Sequence, residues 1–161
     1  MLRIINAALN NELFFKIAGH NLTVVAIDAT YTEPYITDVV VVAPGRTTDV
    51  LLLANGPPGS YYIAASPYAS APIQFDNTTT TAILHYNSST SVAAPLMLVL
   101  PAFNDTPTAH RFYSSLTALR SWSPKVPLDV DEHMKSASAR SEHEQRVFSA
   151  AQHAIDAAGA L

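Results

Sequence analysis

LRIINAALNNELFFKIAGHNLTVVAIDATYT, residues 2–32, holds three short apolar runs within 31 positions. Residues 2–6, 13–18 and 22–28 are rich in Ile, Val, Leu and Phe and are separated by small or polar residues, the texture of β-strands rather than helices. Gly19-His20-Asn21 sets residues that tolerate positive φ between the second and third runs, which predicts a hairpin turn. Further along, residues 37–43 are β-branched and almost wholly apolar, as a strand buried on both faces should be. Pro44-Gly45 ends that run before residues 48–54 resume, predicting a second hairpin. Gly56-Pro57-Pro58-Gly59 turns the chain into residues 60–66, and residues 78–86 alternate Thr with larger side chains before a polar loop. Roughly six or seven strands follow, and turn chemistry at such short intervals predicts an antiparallel sandwich.

The 161 residues suit one domain, and 48% hydrophobic against 14% charged content supports a packed core. A net charge of −4, a pI near 5.8 and no cluster of Lys or Arg argue against nucleic acid or an anionic membrane as partner. The longest apolar stretches, such as residues 39–43 and 96–100, fall far short of the roughly 20 residues that cross a bilayer. The opening MLRIIN lacks the charged, apolar and small-residue regions of a signal peptide. Yet four of the eight asparagines, Asn21, Asn77, Asn87 and Asn104, open Asn-x-Ser/Thr sequons, more than 28 Ser and Thr in 161 residues would produce by chance. They are glycosylation candidates and point to secreted ancestry.

Donor chemistry restricts metals. The chain has no cysteine and six histidines, at positions 20, 85, 110, 133, 143 and 153. A blue-copper centre needs a thiolate beside two imidazoles, so none is expected. His133, His143 and His153 are regularly spaced, but ten residues of helix advance about 15 Å and turn through about 1000°, which separates the rings. Helical metal pairs need i,i+3 or i,i+4 spacing instead. His20 lies in the turn AGHN, where its ring is expected to bond backbone, and His85 alternates with apolar neighbours in a strand. The carboxylates Asp28, Glu33, Asp38, Asp49 and Asp76 are scattered over strand ends, and no Ser, His and acid fall in a nucleophile elbow. Five glycines form no phosphate-binding loop, and no catalytic residues are expected.

Beyond residue 100 the texture changes. Thr106 is placed to cap a helix with Pro107 at its first position, and Phe112, Leu116 and Leu119 follow at helical spacing. Residues 120–130, with Pro124 and Pro127, read as an extended linker. Ten of the 22 charged residues then fall in the last 39 positions. There Ser141 and Glu144 fit a capping box, Val147, Ala151, Ala154 and Ala158 share a helical face, and Gly159 can close the helix, predicting one over residues 142–158.

The segments LRIINAALNNELFFKIAGHNLTVV, DATYTEPYITD and PGRTTDVLLLA together closely resemble the central domain of plant laccases, over residues 2–130. Laccases are multicopper oxidases of three consecutive cupredoxin-like sandwiches, with copper ligands in the first and third. The trinuclear cluster is held there by His-x-His pairs, a pattern absent here. The resemblance therefore implies an all-β, cupredoxin-like Greek-key β-sandwich that binds no copper itself, although copper serves the parent enzyme. It also implies an N-terminally incomplete domain, because relatives carry further strands upstream of the segment matching Leu2. The expected organisation is a plastocyanin-like domain at 1–103, an interdomain connector with a short helix at 104–133, and a non-family helical tail at 134–161. Flanking cupredoxin domains are the implied partners. The implied activity of the intact enzyme is oxidation of phenols, including monolignols, with reduction of oxygen to water in the extracellular apoplast. In fungal relatives a carboxylate on a loop of this domain helps bind and deprotonate the phenol, and aligning FKIAGH with its counterpart puts that position near Asn10. An amide there can hydrogen-bond a phenol hydroxyl but cannot act as its base at neutral pH. A turn role for Asn10 with Asn11 is the competing expectation. The alternative for the whole chain is a stand-alone noncatalytic β-sandwich interaction module.

Overall fold

Along β3 (Leu22–Ile27) every second side chain, Leu22, Val24 and Ala26, is buried, while the intervening ones are partly exposed, the period of a strand with one face on a core. The computed structural model describes residues 1–70, 76–86 and 94–120. It adds β1 (Leu2–Ile5), β2 (Glu12–Ile17), β4 (Thr30–Thr37), β5 (Val40–Val42), β6 (Thr47–Leu52), β7 (Ser60–Tyr68), β8 (Thr80–His85) and one helix, α1 (Thr106–Ser114). Two four-stranded antiparallel sheets form, ordered β1-β6-β3-β4 and β5-β2-β7-β8. All the described residues lie in one compact unit, Met1–Pro124.

The expected sandwich is present, but both predicted hairpins are corrected. The turn at Gly19-His20-Asn21 joins β2 to β3, and these strands belong to different sheets. Gly19 takes φ +67, and His20 N–H closes the turn on Ile17 O at 3.2 Å. Pro44-Gly45 likewise carries the chain from β5 in one sheet to β6 in the other, with Gly45 at φ +70. Positive-φ turn chemistry is the same in a hairpin and in a corner between sheets. The choice is made by burial: Phe14 and Ile17 of β2 and Leu22 and Val24 of β3 all enter the shared core.

The tight hairpin is β3–β4, linked by Asp28 and Ala29, and β4 is a strand the sequence reading did not separate from its surroundings. Pro34 interrupts its pattern. The strand tolerates it because the pairing with β3 is irregular between Val24 and Ala26 and no ladder bond is needed there. Asp28 adopts φ 51 and accepts from Thr47 N–H at 2.9 Å and Arg46 Nη1 at 2.8 Å. β5 confirms the expectation of a strand buried on both faces, although Thr37 belongs to β4.

The core joins Phe14, Ile17, Leu22, Val24, Val50 and the valines 39–42 to Ala109 and Phe112 of α1. Each of the larger side chains among them contributes about 1.5–3 kcal/mol on full burial. α1 packs against β5, and Asp105, rather than Thr106, caps it, accepting from Thr108 N at 3.1 Å. The carboxylate reaches the N3 amide, and Pro107 in the first turn lacks the N–H that would otherwise need a partner there. The segment after α1 runs along the outer edge of β4, where Glu33 N–H donates to Thr117 O at 2.9 Å and Leu119 N–H to Tyr31 O at 3.0 Å. The predicted linker past residue 120 and the helix over 142–158 lie outside the described residues.

Candidate functional site

Asn6 is 1% exposed and organises the loop that joins β1 to β2. Its Nδ2 donates to Asn11 O at 2.7 Å and to Val42 O at 2.8 Å, and its Oδ1 accepts from Ala8 N at 2.9 Å. Its backbone pairs with Arg46 O at 3.1 Å and Gly45 N at 2.9 Å. Every polar group of this buried amide is thus satisfied, as burial demands. The loop it anchors projects Leu9, 90% exposed, and Asn10, whose exposed amide makes no hydrogen bond to a described residue. Of the Asn-Asn pair, Asn11 supplies the turn contact and Asn10 does not.

Immediately after the loop stands Glu12, which sequence reasoning passed over. It opens the apolar strand ELFFKI, and a lone carboxylate at such a position is the signal that could have found it. Burial pushes its carboxyl pKa up, an effect partly offset by a hydrogen bond with Tyr113 of α1, and Oε2 is buried without a hydrogen-bond partner. Burial and the neighbouring Glu12 charge both push the Tyr113 phenol well up from its ordinary value. The pair places a carboxyl of raised pKa two residues from Asn10.

At the other end of β2 lies a second polar cluster. His20, 6% exposed, has Nδ1 at 2.7 Å from Ala18 O and Nε2 at 2.6 Å from Tyr86 Oη. A carbonyl only accepts, so Nδ1 carries the proton, and in the neutral ring Nε2 accepts from the phenol. The expected backbone bond is present. Tyr61 packs edge-on to His20 at 4.7 Å between centroids and donates its hydroxyl to Pro57 O.

The other singled-out groups do not converge. Asp28, Asp38 and Asp49 pair with Arg46, Lys16 and Arg3, Glu33 accepts from Arg120 N–H, and Asp76 accepts from Thr78. The ion pairs and hydrogen bonds hold Asp28, Asp38, Asp49 and Asp76 below the usual carboxylate range. His85 Nδ1 meets Ser60 Oγ at 2.8 Å, and His110 is exposed on α1. Among the described residues no three His, Cys, Asp or Glu side chains are grouped to hold a metal, and no helix is long and apolar enough to cross a membrane. Asn21, Asn77 and Asn104 are exposed; Asn87, His133, His143 and His153 lie outside the described residues.

The sequence profile of the family described as "Multicopper oxidase" matches residues 1–89, more than half of the chain. This chain belongs to the multicopper oxidase family. It is 59% identical to "Laccase-7" of Arabidopsis thaliana over 83% of its own length and 25% of that protein's. It is 52% identical to "Laccase-6" of Oryza sativa subsp. japonica over 83% of this chain and 25% of the relative. It thus spans about a quarter of the length of these relatives. The crystal structure of the laccase from Botrytis aclada superposes on 68% of this chain and 21% of its own, with a TM-score of 0.54 and 31% identity. The two-sheet sandwich is accordingly a multicopper oxidase cupredoxin domain.

Proposed function

We propose that this chain is the central, copper-ligand-free domain of a laccase, a scaffold that holds flanking cupredoxin domains in register and lends one wall to their substrate pocket. Donor chemistry carries the reading. Family membership implies copper, but a blue site needs a thiolate and this sequence has no cysteine. Both ring nitrogens of His20 are engaged by Ala18 and Tyr86, and His85 is held by Ser60, so these imidazoles do not fit a copper cage. No catalytic step is therefore assigned to a metal on this chain. The similarity to plant laccases supports a parent enzyme that oxidises phenols, monolignols among them, and reduces oxygen to water.

In that assembly Asn10 is the residue of this chain that meets substrate. Its amide is exposed on a loop whose base is fixed by Asn6, so it can accept or donate a hydrogen bond to a phenol hydroxyl. It orients the phenol and does not deprotonate it. The partners are the first and third cupredoxin domains, the location is the apoplast, and the exposed asparagines Asn21, Asn77 and Asn104 carry glycans.

The test restores the missing length. The three-domain enzyme made with this sequence as its centre should oxidise a phenolic dye, and Asn10→Ala should raise KM about tenfold, the loss expected of one hydrogen bond, with little change in kcat. Dye oxidation by the isolated chain, dependent on added copper, contradicts the scaffold role. Peptide mapping after glycosidase treatment of secreted protein tests the sequons.

A further inference from the structure

Asn77 lines a cavity of about 150 Å³ together with Ser66, Pro67, Thr79, Pro101 and Phe103. Ser66 and Pro67 belong to β7, while Pro101 and Phe103 lie on the stretch that leads to α1. That stretch is held to the end of β7, where Ala69 N–H donates to Phe103 O at 3.0 Å. Ser66 is 8% exposed, and among the described residues its Oγ has no hydrogen-bond partner, although a buried hydroxyl is ordinarily paired. Asn77 itself is exposed and opens the sequon Asn77-Thr78-Thr79. Asp76 Oδ1 accepts from Thr78 N–H at 2.9 Å and from Thr78 Oγ1 at 2.5 Å, which fixes the turn that carries it. Asn21 and Asn104, the other exposed sequon asparagines, do not line this cavity.

We propose that the first N-acetylglucosamine of a glycan on Asn77 seats in this cavity and clamps the segment entering β8 to the segment leading to α1. The proposal rests on the secreted, glycosylated reading of the chain given above. In the transfer, the anomeric carbon of the sugar leaves a lipid-linked pyrophosphate donor and bonds to Asn77 Nδ2, which gives up one proton as the lipid pyrophosphate departs. Every later contact is noncovalent.

Size points to a tethered occupant. Sites for free small molecules run to about 300–1,000 Å³, and this cavity is smaller. A sugar joined to a wall residue needs little affinity of its own, because the covalent bond holds it at the cavity at high effective concentration. The lining also matches its chemistry. Pro67, Pro101 and Phe103 offer apolar ring surface to the C–H face of the sugar and to its acetamido methyl, which leave water on contact. Ser66 and Thr79 offer hydroxyls to the acetamido N–H and C=O. The Ser66 hydroxyl thereby gains the partner that the described fold does not supply.

The experiment uses the 161-residue chain secreted from plant cells behind a cleavable export signal. Peptide mapping locates the sugars, and an endoglycosidase trims each glycan to a single N-acetylglucosamine. The one-sugar form should melt about 2–4 °C above the Asn77→Gln variant, the shift that a modest added contact gives in a chain of this length. Asn104→Gln should move the melt far less, because that sugar has no place in the cavity. Phe103→Ala removes a wall and should abolish the difference that the Asn77 sugar makes. A second measurement needs no variant: nuclear magnetic resonance of the labelled acetamido methyl should find it against the Phe103 ring, upfield of its position in the unfolded chain. Equal melting with and without the Asn77 sugar, or an acetamido methyl at its unfolded position, would overturn the proposal and leave the glycan assignment standing. A bare Asn77 in the secreted protein would overturn both.

Discussion

The two connections that flank β2 are built from the same kinds of residue and finish in opposite states. The one before it, residues 7–11, leaves Leu9 and Asn10 in solvent and is tied down only at its base, by Asn6. The one after it buries His20 against Ala18, Tyr61 and Tyr86 around a positive-φ glycine. Polar side chains at a strand end therefore divide by burial. The side chains of Asn6 and His20 have their polar atoms engaged within the fold, whereas Asn10, four residues from Asn6, leaves its amide exposed.

The largest expected effect comes from removing the base of the exposed loop. Asn6→Ala leaves Asn11 O, Val42 O and Ala8 N without their partner and should cost about 2–4 kcal/mol in urea unfolding, given the expense of buried unpaired groups. A loss below about 0.5 kcal/mol, the range of ordinary surface changes, would show that the loop does not depend on it. Gly19→Ala attacks the closed corner. The new Cβ would sit 3.0 Å from Leu96 Cδ2 at a φ of +67, and a cost of about 1–2 kcal/mol is expected from the left-handed backbone. Thermal melts of both variants rank the two connections.

Glu12 gives a smaller effect with a defined sign. Burial raises its pKa in the folded chain, so its contribution to stability is complete below the ordinary glutamate value and is lost as pH rises through the folded value. Glu12→Gln should therefore gain stability relative to the unmodified chain as pH rises above the ordinary glutamate value, read by denaturant titration at several pH values. Asp38 runs the other way. Lys16 lowers its pKa, so its contribution is present at neutral pH and lost as pH falls through the folded value. The smallest effect belongs to Asn10→Ala, whose stability should change by less than about 0.5 kcal/mol. A larger loss would mean that its amide serves the fold after all.

Much of the sandwich is legible in the chain because strand period and turn chemistry are local. Leu22, Val24 and Ala26 announce an inward face, and Gly19 and Gly45 announce turns. Which strand a turn leads to is not local. The corners at Gly19 and Gly45 read as hairpins because their residues are those of hairpins, and only the shared core of Phe14, Ile17, Leu22 and Val24 sends the chain across to the other sheet. β4 was hidden by Pro34, which is acceptable only where the pairing with β3 is irregular. At the candidate site, Asn10 and the backbone bond of His20 were reachable from sequence. Glu12 with Tyr113 and His20 with Tyr86 were not, since these partners lie about 100 and 66 positions apart and meet only on folding.

Copper titration of the purified 161-residue chain tests the scaffold role most directly. Calorimetry and electron paramagnetic resonance should find no stoichiometric tight site, and the solution should stay free of blue thiolate–copper absorption. One equivalent of tightly held copper, lost on His20→Gln or His85→Gln, would contradict the account.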